Sequence, residues 1–314
     1  MENNVHYSYL PKCYNSLNSY LKNKYGEKVL KICLDGNFSC PNRDGTVGHG
    51  GCIFCNERGA GEYLTPSLSI AEQFNESVCK AEKSRRGRKF IAYFQNYTGT
   101  YDSIESLRRK YYEATQDSRV IILAVATRPD CINQDIIELL KEIKHNRGID
   151  VWIELGLQTI HDRTAELINR CYKTEIFYEA ISQLRMNEID VIVHLMMGLP
   201  GETENDMLQT VKKMAAIDIQ GIKFHCVNIM KNTALEELFL SGEYTPLDLE
   251  KYIDILSESI MWLPHHIVVH RLISDCNPKY LVAPLWASDK YLMLTEITRK
   301  FVKDNIHQGM YLDS

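Results

Sequence analysis

The sequence predicts an α/β chain built on one parallel sheet, and three observations carry that prediction. Strand and helix patterns alternate six times from residue 28 onward, the strand segments are near-continuous apolar runs, and polar groups gather where each run ends. A strand that is apolar along its length is covered on both faces, as happens when helices cross over a parallel sheet. The runs fall at 28–34, 90–94, 120–126, 151–157, 190–197 and 221–228, with Val120-Ile-Ile-Leu-Ala-Val-Ala126 the plainest. Six such units can form a doubly wound sheet or a curved, incomplete barrel, with right-handed crossovers in either.

The helices follow in order. Asn133 stands where a helix cap belongs, ahead of Ile136, Leu140 and Ile143 at helical spacing, and Phe177, Ile181 and Leu184 repeat the pattern. Thr203-Glu-Asn-Asp206 reads as a capping-box variant, with Met207, Val211 and Met214 on the stripe behind it. These stripes read as core. Residues 1–27 predict a helical cap anchored by Tyr14, Tyr20 and Tyr25 at the bottom or side of the sheet. After Thr233 the alternation ends: helices are expected over 233–241, 246–262 and 286–304, with a strand-like run at 267–272. The expected organisation is therefore a cap (1–27), a sheet unit (28–230) and a C-terminal extension (231–314) that covers the sheet's open edge.

With 314 residues, 45% hydrophobic and 25% charged, the composition excludes disordered and fibrous classes. No run of eighteen apolar residues occurs, and Met1-Glu-Asn-Asn4 lacks the basic and apolar regions of a signal peptide, so the reading is a cytoplasmic protein with no membrane partner. In that compartment ten cysteines are thiols and metal ligands rather than disulfides. A net charge of −5 argues against a surface that clamps nucleic acid everywhere. The locally basic run Lys80, Lys83, Arg85, Arg86, Arg88 and Lys89, with Arg108, Arg109 and Lys110, is either a solvated face or a nucleic-acid contact.

Directly after the first strand, Cys40, Cys52 and Cys55 lie on a loop containing Gly45, Gly48, Gly50 and Gly51. Three thiolates are one short of closing a [4Fe-4S] cube, which leaves one iron open for chemistry. The competing reading is a structural zinc site, which needs His49 or Cys33 as a fourth ligand, or a chance grouping. Other strand ends add polar groups to the same mouth: Gln95-Asn96-Tyr97-Thr98, Thr127-Arg-Pro-Asp130, Glu154 to Gln158-Thr159, His194 with the 198–203 segment, and Lys223, His225 and Asn228. Glu154 and His194 interrupt apolar strands, where an ionisable group needs a partner, so each is a paired core residue or a ligand.

Together these residues resemble the radical S-adenosylmethionine (SAM) superfamily, in its YhcC/YtqA-like branch related to the Elongator catalytic subunit's radical SAM domain. The likeness rests on Lys31 to Gly45, Gly50-Gly-Cys-Ile-Phe-Cys55, Tyr93-Phe-Gln-Asn-Tyr97, Thr127-Arg-Pro-Asp130, Val151 to His161, Ile168-Asn-Arg170, Gly198-Leu-Pro-Gly-Glu-Thr203 and Ala283-Pro-Leu-Trp-Ala287. It implies a partial (β/α)6 barrel whose cluster, held by Cys40, Cys52 and Cys55, binds SAM at its open iron and splits it to methionine and a 5′-deoxyadenosyl radical that abstracts hydrogen. It implies further that Phe54 packs near adenine, that the chain at Gln95 and Asn96 meets the methionyl part, and that Gln158 and Arg170 are polar SAM contacts. His194 stands where some relatives place an aspartate, and Leu199 belongs to the adenine pocket. Two departures are visible: Ala126 occupies a position often held by glutamate, which Glu154 could replace, and the Cys40 to Cys52 gap exceeds the common three-residue gap. The implied partners are an electron donor such as flavodoxin or ferredoxin and a tRNA substrate modified at its wobble uridine. A small metabolite or a protein side chain is the other substrate reading, and a zinc-stabilised, non-catalytic binding module is the competing class. Six further cysteines (Cys13, Cys79, Cys131, Cys171, Cys226, Cys276) lack metal-type pairing, with Cys171 and Cys226 the two placed to face a cavity. Among His265, His266, His270 and Arg271, one histidine in contact with substrate is the functional reading.

Overall fold

The structure, a computed structural model, describes residues 13–56, 68–83 and 87–312. Helix α1 (Leu17–Tyr25) leads into β1 (Val29–Leu34), α2 (Ile70–Lys83), β2 (Lys89–Phe94), α3 (Ile104–Ala114), β3 (Val120–Thr127), α4 (Gln134–Arg147) and β4 (Asp150–Gln158). Then come α5 (Asp162–Leu167), α6 (Thr174–Met186), β5 (Asp190–Met197), α7 (Glu204–Ala215) and β6 (Gly221–Cys226). These six strands pair in parallel and in sequence order. That order decides between the two folds left open by the sequence. A doubly wound sheet needs a reversal of strand order to put helices on both faces; successive right-handed crossovers without a reversal put every helix on one face and curl the sheet around the other.

The two faces carry different cores. Toward the helices lie Ile32, Phe90, Leu123, Val125, Ile153, Leu155, Val193 and Leu195, packed on Phe74, Leu107, Ile137, Leu140, Phe177 and Val211. The inward face carries Val29, Ile91, Ile122, Ala124, Trp152 and Ile192, and α1 closes its N-terminal end with Leu21 and the rings of Tyr20 and Tyr25. Lys24 and the Tyr25 hydroxyl both reach Asp150 at the start of β4, the former at 2.6 Å. Residues 1–12 of the expected cap lie outside the described residues.

The C-terminal part supplies β7 (Ile229–Met230), α8 (Ala234–Leu240), α9 (Leu249–Trp262), β8 (Val268–Arg271), β9 (Leu281–Ala283) and α10 (Lys290–Lys303). Here the sheet exceeds the six-unit expectation: β8 joins β6 in parallel, with Gly221 opposite Val268 and Lys223 opposite Arg271, making seven strands. The alternation was hidden because the crossover from β6 to β8 is interrupted by the β7–β9 ribbon's first strand and by α8 before its main helix α9. The new edge is covered in turn, since Ser16 bridges to Val269 ahead of α1. The anticipated caps form: Asn133 Oδ1 accepts from the Ile136 amide at 3.0 Å, and Thr203 and Asp206 close a reciprocal capping box. Among the described residues no helix is long and apolar enough to cross a membrane.

Candidate active site at the mouth of the half-barrel

The cysteine loop leaves the C-terminal end of β1 and is gripped from three sides. Asn42, fully buried, donates through Nδ2 to the Asn169 carbonyl at 2.6 Å and approaches Cys52 Sγ at 3.6 Å. Asn169, in the left-handed region that asparagine tolerates, returns its side-chain amide to the carbonyls of Gly51 (2.8 Å) and His49 (3.2 Å). The Ile53 amide donates to the Ile168 carbonyl at 3.1 Å, and the Thr98 amide to the Ser39 carbonyl at 3.2 Å. Arg43 Nη2 binds the carbonyls of Cys55 (2.8 Å) and Asn56 (2.6 Å). Gly48 is required by contact: a Cβ there would lie 2.2 Å from Asn42 Oδ1 and 2.8 Å from Cys171 Sγ.

The thiols of Cys40, Cys52 and Cys55 act on one another. Burial first, then the nearby Cys55 and Cys40, push the Cys52 thiol up to about 12 against the pull of Arg128. Burial likewise raises Cys55, opposed by the Arg43 guanidinium and aided by Cys40. Three soft sulfur donors on one loop, each residue partly exposed, are thus near enough to influence one another, with Arg128 and Arg43 beside them. Cys33 is placed elsewhere: burial raises its thiol, and its charged neighbours are Lys31 and Lys223 inside the half-barrel. Among the described residues no three His, Cys, Asp or Glu side chains are placed to hold a single metal ion.

Behind the loop, Arg170 is 1% exposed and all its donors are taken by the protein. Nη1 donates to the carbonyls of Leu157 (2.7 Å) and Thr159 (2.8 Å), Nε to that of Tyr172 (3.2 Å), and Nη2 to Tyr172 O (3.1 Å) and Thr174 Oγ1 (3.0 Å). A guanidinium has five N–H groups, and here the protein engages all of them, so Arg170 joins the end of β4 to the segment that follows it. The Tyr172 ring sits between Arg170 (4.3 Å) and Arg128 (4.9 Å). Arg128 is clamped by Asp130 at 2.9 and 2.7 Å and donates to the Arg170 carbonyl at 3.0 Å. Gln158 follows a register shift at the end of β4 and has φ 64°, which swings its side chain out of the strand alternation toward the Tyr172 hydroxyl at 3.4 Å.

Inside the half-barrel Glu154 is fully buried. It pairs with Lys223, lies 3.5 Å from Lys31 Nζ and accepts from His194 Nε2 at 2.9 Å. Burial opposes its ionisation, but Lys223, Lys31 and His194 outweigh that and hold the carboxyl well below the usual range. Burial, then Lys223, pulls the His194 imidazole down to about 4. His194 is therefore neutral, with its Nε2–H donating to the Glu154 carboxylate. Ala126 sits beside Glu154 in register, so the small residue adjoins the carboxylate that could replace the missing one.

The remaining predicted residues form the rim. Leu199 (2% exposed) packs with Phe54, Ile53, Ile168, Val227 and Tyr244 in one apolar cluster, so loop and strand ends share a greasy wall. Asn96 is buried, donating to Asp35 Oδ2 at 2.8 Å while its Oδ1 has no partner, and Gln95 beside it is half-buried. Cys171 lies against the back of the cysteine loop, whereas Cys226 points into the helix-side core, not the cavity, because it alternates with inward-facing His225. Of the C-terminal histidines only His270 reaches the interior, tilted on Trp152; His265 packs under Gly309.

A family model described as the radical SAM superfamily matches residues 44–214, and one described as the radical SAM C-terminal domain matches residues 219–303. The chain belongs to the radical SAM superfamily. Within it the chain falls in the YhcC/YtqA-like branch: YtqA of Bacillus subtilis (strain 168) is 36% identical over 313 residues, covering 99% of this chain and 97% of YtqA. The tRNA uridine(34) acetyltransferase of Methanocaldococcus jannaschii is 28% identical over 172 residues, covering 54% of this chain and 31% of that protein. Among solved structures, the archaeal Methanocaldococcus infernus Elp3 with an N-terminal deletion superposes with a TM-score of 0.70 at 19% identity, covering 89% of this chain and 64% of that one, which shows the shared fold. Membership makes the protein a radical SAM enzyme and implies SAM and a [4Fe-4S] cluster as its cofactors.

Sequence reasoning missed the clamps. Asn42, Asn169 and Tyr172 carry the loop's geometry but have no chemistry of their own that would single them out; the signal was that Asn42 lies within the Lys31 to Gly45 segment and Asn169 within Ile168-Asn-Arg170. Part of the basic run is paired with local acids: Lys80 faces Glu76 (3.9 Å), Lys89 faces Glu27 (3.7 Å), Lys110 faces Asp102 (2.6 Å) and Arg108 pairs with Glu142. Arg85 and Arg86 lie outside the described residues.

Proposed function

We propose that Cys40, Cys52 and Cys55 hold three irons of the [4Fe-4S] cluster and that SAM binds the fourth at the mouth of the half-barrel. The observation that carries this is the mutual proximity of three partly exposed thiols on the one loop that leaves the end of β1. The cluster, once reduced, supplies the electron that divides SAM into methionine and a hydrogen-abstracting 5′-deoxyadenosyl radical. The chain's own part is positioning and exclusion of water. Phe54 and Leu199 form an apolar wall for adenine. The strand end at Gln95 and Asn96 and the turned-out Gln158 face the methionyl part, and Arg170 holds the Gln158 loop from behind. Glu154 and His194 present a polar floor. Residues 28–230 make the catalytic unit, with the described part of the 1–27 segment closing its base and that of 231–314 completing the sheet and covering its side.

The substrate we infer is a tRNA, with a wobble uridine as the reacting nucleoside, supported by the likeness to a tRNA uridine(34) acetyltransferase over 54% of this chain. The electron donor is of the flavodoxin or ferredoxin kind, and the compartment the cytoplasm. Anaerobically purified protein is expected to contain iron and, with SAM and dithionite, to release 5′-deoxyadenosine. Serine at Cys40, Cys52 or Cys55 abolishes the release. Zinc without iron, or full activity in one of these variants, overturns the ligand assignment. Titration with tRNA at several salt concentrations tests the substrate: no affinity even at low salt removes RNA and leaves a small metabolite or a protein side chain.

A further inference from the structure

Asn42 does more on the cysteine loop than clamp it. The residue is 0% exposed, and its side-chain amide has two acceptors: the Asn169 carbonyl at 2.6 Å and Cys52 Sγ at 3.6 Å. A carbonyl can only accept, so the Asn169 oxygen fixes which end of the amide faces it and leaves the second N–H for the sulfur. The longer of the two distances suits sulfur, whose radius exceeds that of oxygen. Asn42 Oδ1 is buried without a hydrogen-bond partner among the described residues, so this amide acts through its donors.

The loop's own backbone is occupied elsewhere. The amides of Arg43 (2.8 Å) and Asp44 (3.3 Å) donate to the Cys40 carbonyl, that of Gly51 to the Asn42 carbonyl at 2.8 Å, and that of Cys55 to the Cys52 carbonyl at 2.9 Å. Those four N–H groups are taken by oxygen, and a side chain brings its N–H to Cys52 Sγ instead. Arg43, next in the chain, holds its guanidinium against the carbonyls of Cys55 and Asn56, which sets a positive charge beside a second of the three cysteines.

Reducing an iron–sulfur cluster adds one electron and neither forms nor breaks a bond. The added negative charge spreads over the iron and the sulfurs, the ligand thiolates included. A hydrogen bond donated to a ligand sulfur therefore stabilises the reduced form more than the oxidised one, and such bonds are among the factors that set a cluster's potential. We propose that Asn42 eases reduction of the cluster by donating its second N–H to the Cys52 thiolate. The electron comes from the one-electron donor of the flavodoxin or ferredoxin kind, and the bond lets the cluster accept it from a weaker reductant. Asn42 acts through Cys52, so it is a positioning residue, and the proposal rests on the reading of Cys52 as a cluster ligand.

The test is an anaerobic redox titration of the cluster-containing protein without SAM, with the reduced cluster counted by electron paramagnetic resonance and iron measured on the same samples. Asn42→Leu keeps a similar volume without the donors, and its midpoint is expected to fall. At the wild type's midpoint the ratio of reduced to oxidised cluster should drop at least about threefold, which is about 28 mV at about 59 mV per tenfold change for one electron. Asn169→Gly keeps the left-handed backbone but removes the side-chain clamp on the Gly51 and His49 carbonyls; it is expected to lower iron content and leave the midpoint of the remaining cluster unchanged. An Asn42→Leu protein with full iron and the wild-type midpoint overturns the proposal, and so does an equal fall in Asn169→Gly, which would assign the effect to loop geometry. Where Asn42→Leu does not hold the cluster, the wild type decides: asparagine carrying 15N in its side-chain amide is expected to show a nitrogen coupling to the reduced cluster, and no coupling overturns the proposal. Failure of the ligand assignment is read separately, as full iron content in Cys52→Ser.

Discussion

Replacing Arg170 by methionine separates two roles for the same side chain. In the structure its guanidinium satisfies the carbonyls of Leu157, Thr159 and Tyr172 and the Thr174 hydroxyl, within a site only 1% exposed. Methionine fills the volume but strands those acceptors, at about 1–3 kcal/mol for each buried group that finds no water. It also removes the cation stacked on Tyr172. Partial relaxation brings the expected loss to about 3–5 kcal/mol, a large part of a domain's ~5–15 kcal/mol. Urea denaturation of the apoprotein measures it, and Arg170→Lys, with three donors in place of five, is expected to fall between. Because Ile168 and Asn169 grip the cysteine loop, Arg170→Met should also retain less iron after reconstitution. A loss below about 1 kcal/mol, accompanied by weaker SAM binding, would refute the positioning role and restore the direct contact.

Two further outcomes follow from the same geometry. Gly48→Ala drives a Cβ into Asn42 Oδ1 and Cys171 Sγ, and is expected to cost about 1–3 kcal/mol and to lower the iron content; unchanged iron and stability would show that the loop shifts freely. Acid should destabilise the fold through His194. Its folded value of about 4 lies below the ordinary 6.5, so between these pH values the unfolded chain binds the extra proton, and stability falls as pH drops. The loss from His194 amounts to about 3 kcal/mol, with Glu154, His225 and His270 acting in the same direction. His194→Gln should flatten the dependence of the urea midpoint on pH across that window, and an undiminished slope would assign the effect to other groups.

The site was legible where chemistry demands a residue type at a chain position. Cys40, Cys52 and Cys55 stand out because three thiols on one glycine-rich loop at a strand end suit an enclosed metal cluster, and Glu154 and His194 because a charge inside an apolar strand needs a partner. That the two are each other's partner could not be read, since 40 residues separate them and only sheet register brings them to 2.9 Å. Arg170 shows the opposite limit. Its presence was conspicuous, but whether its donors face a ligand or the backbone depends on carbonyls positioned by the bend after β4.

By itself, then, the sequence determined the elements, their parallel pairing and the cysteine loop at a strand end, because apolar periodicity, capping residues and ligand chemistry act over a few neighbouring positions. Only the tertiary structure decided that the sheet curls instead of winding both ways, that β8 adds a seventh strand, and that Lys31, Lys223 and His194 surround one carboxylate. Those outcomes depend on strand order and register across more than 200 residues, and a charge balance inside an enclosed space exists only once the walls have closed around it.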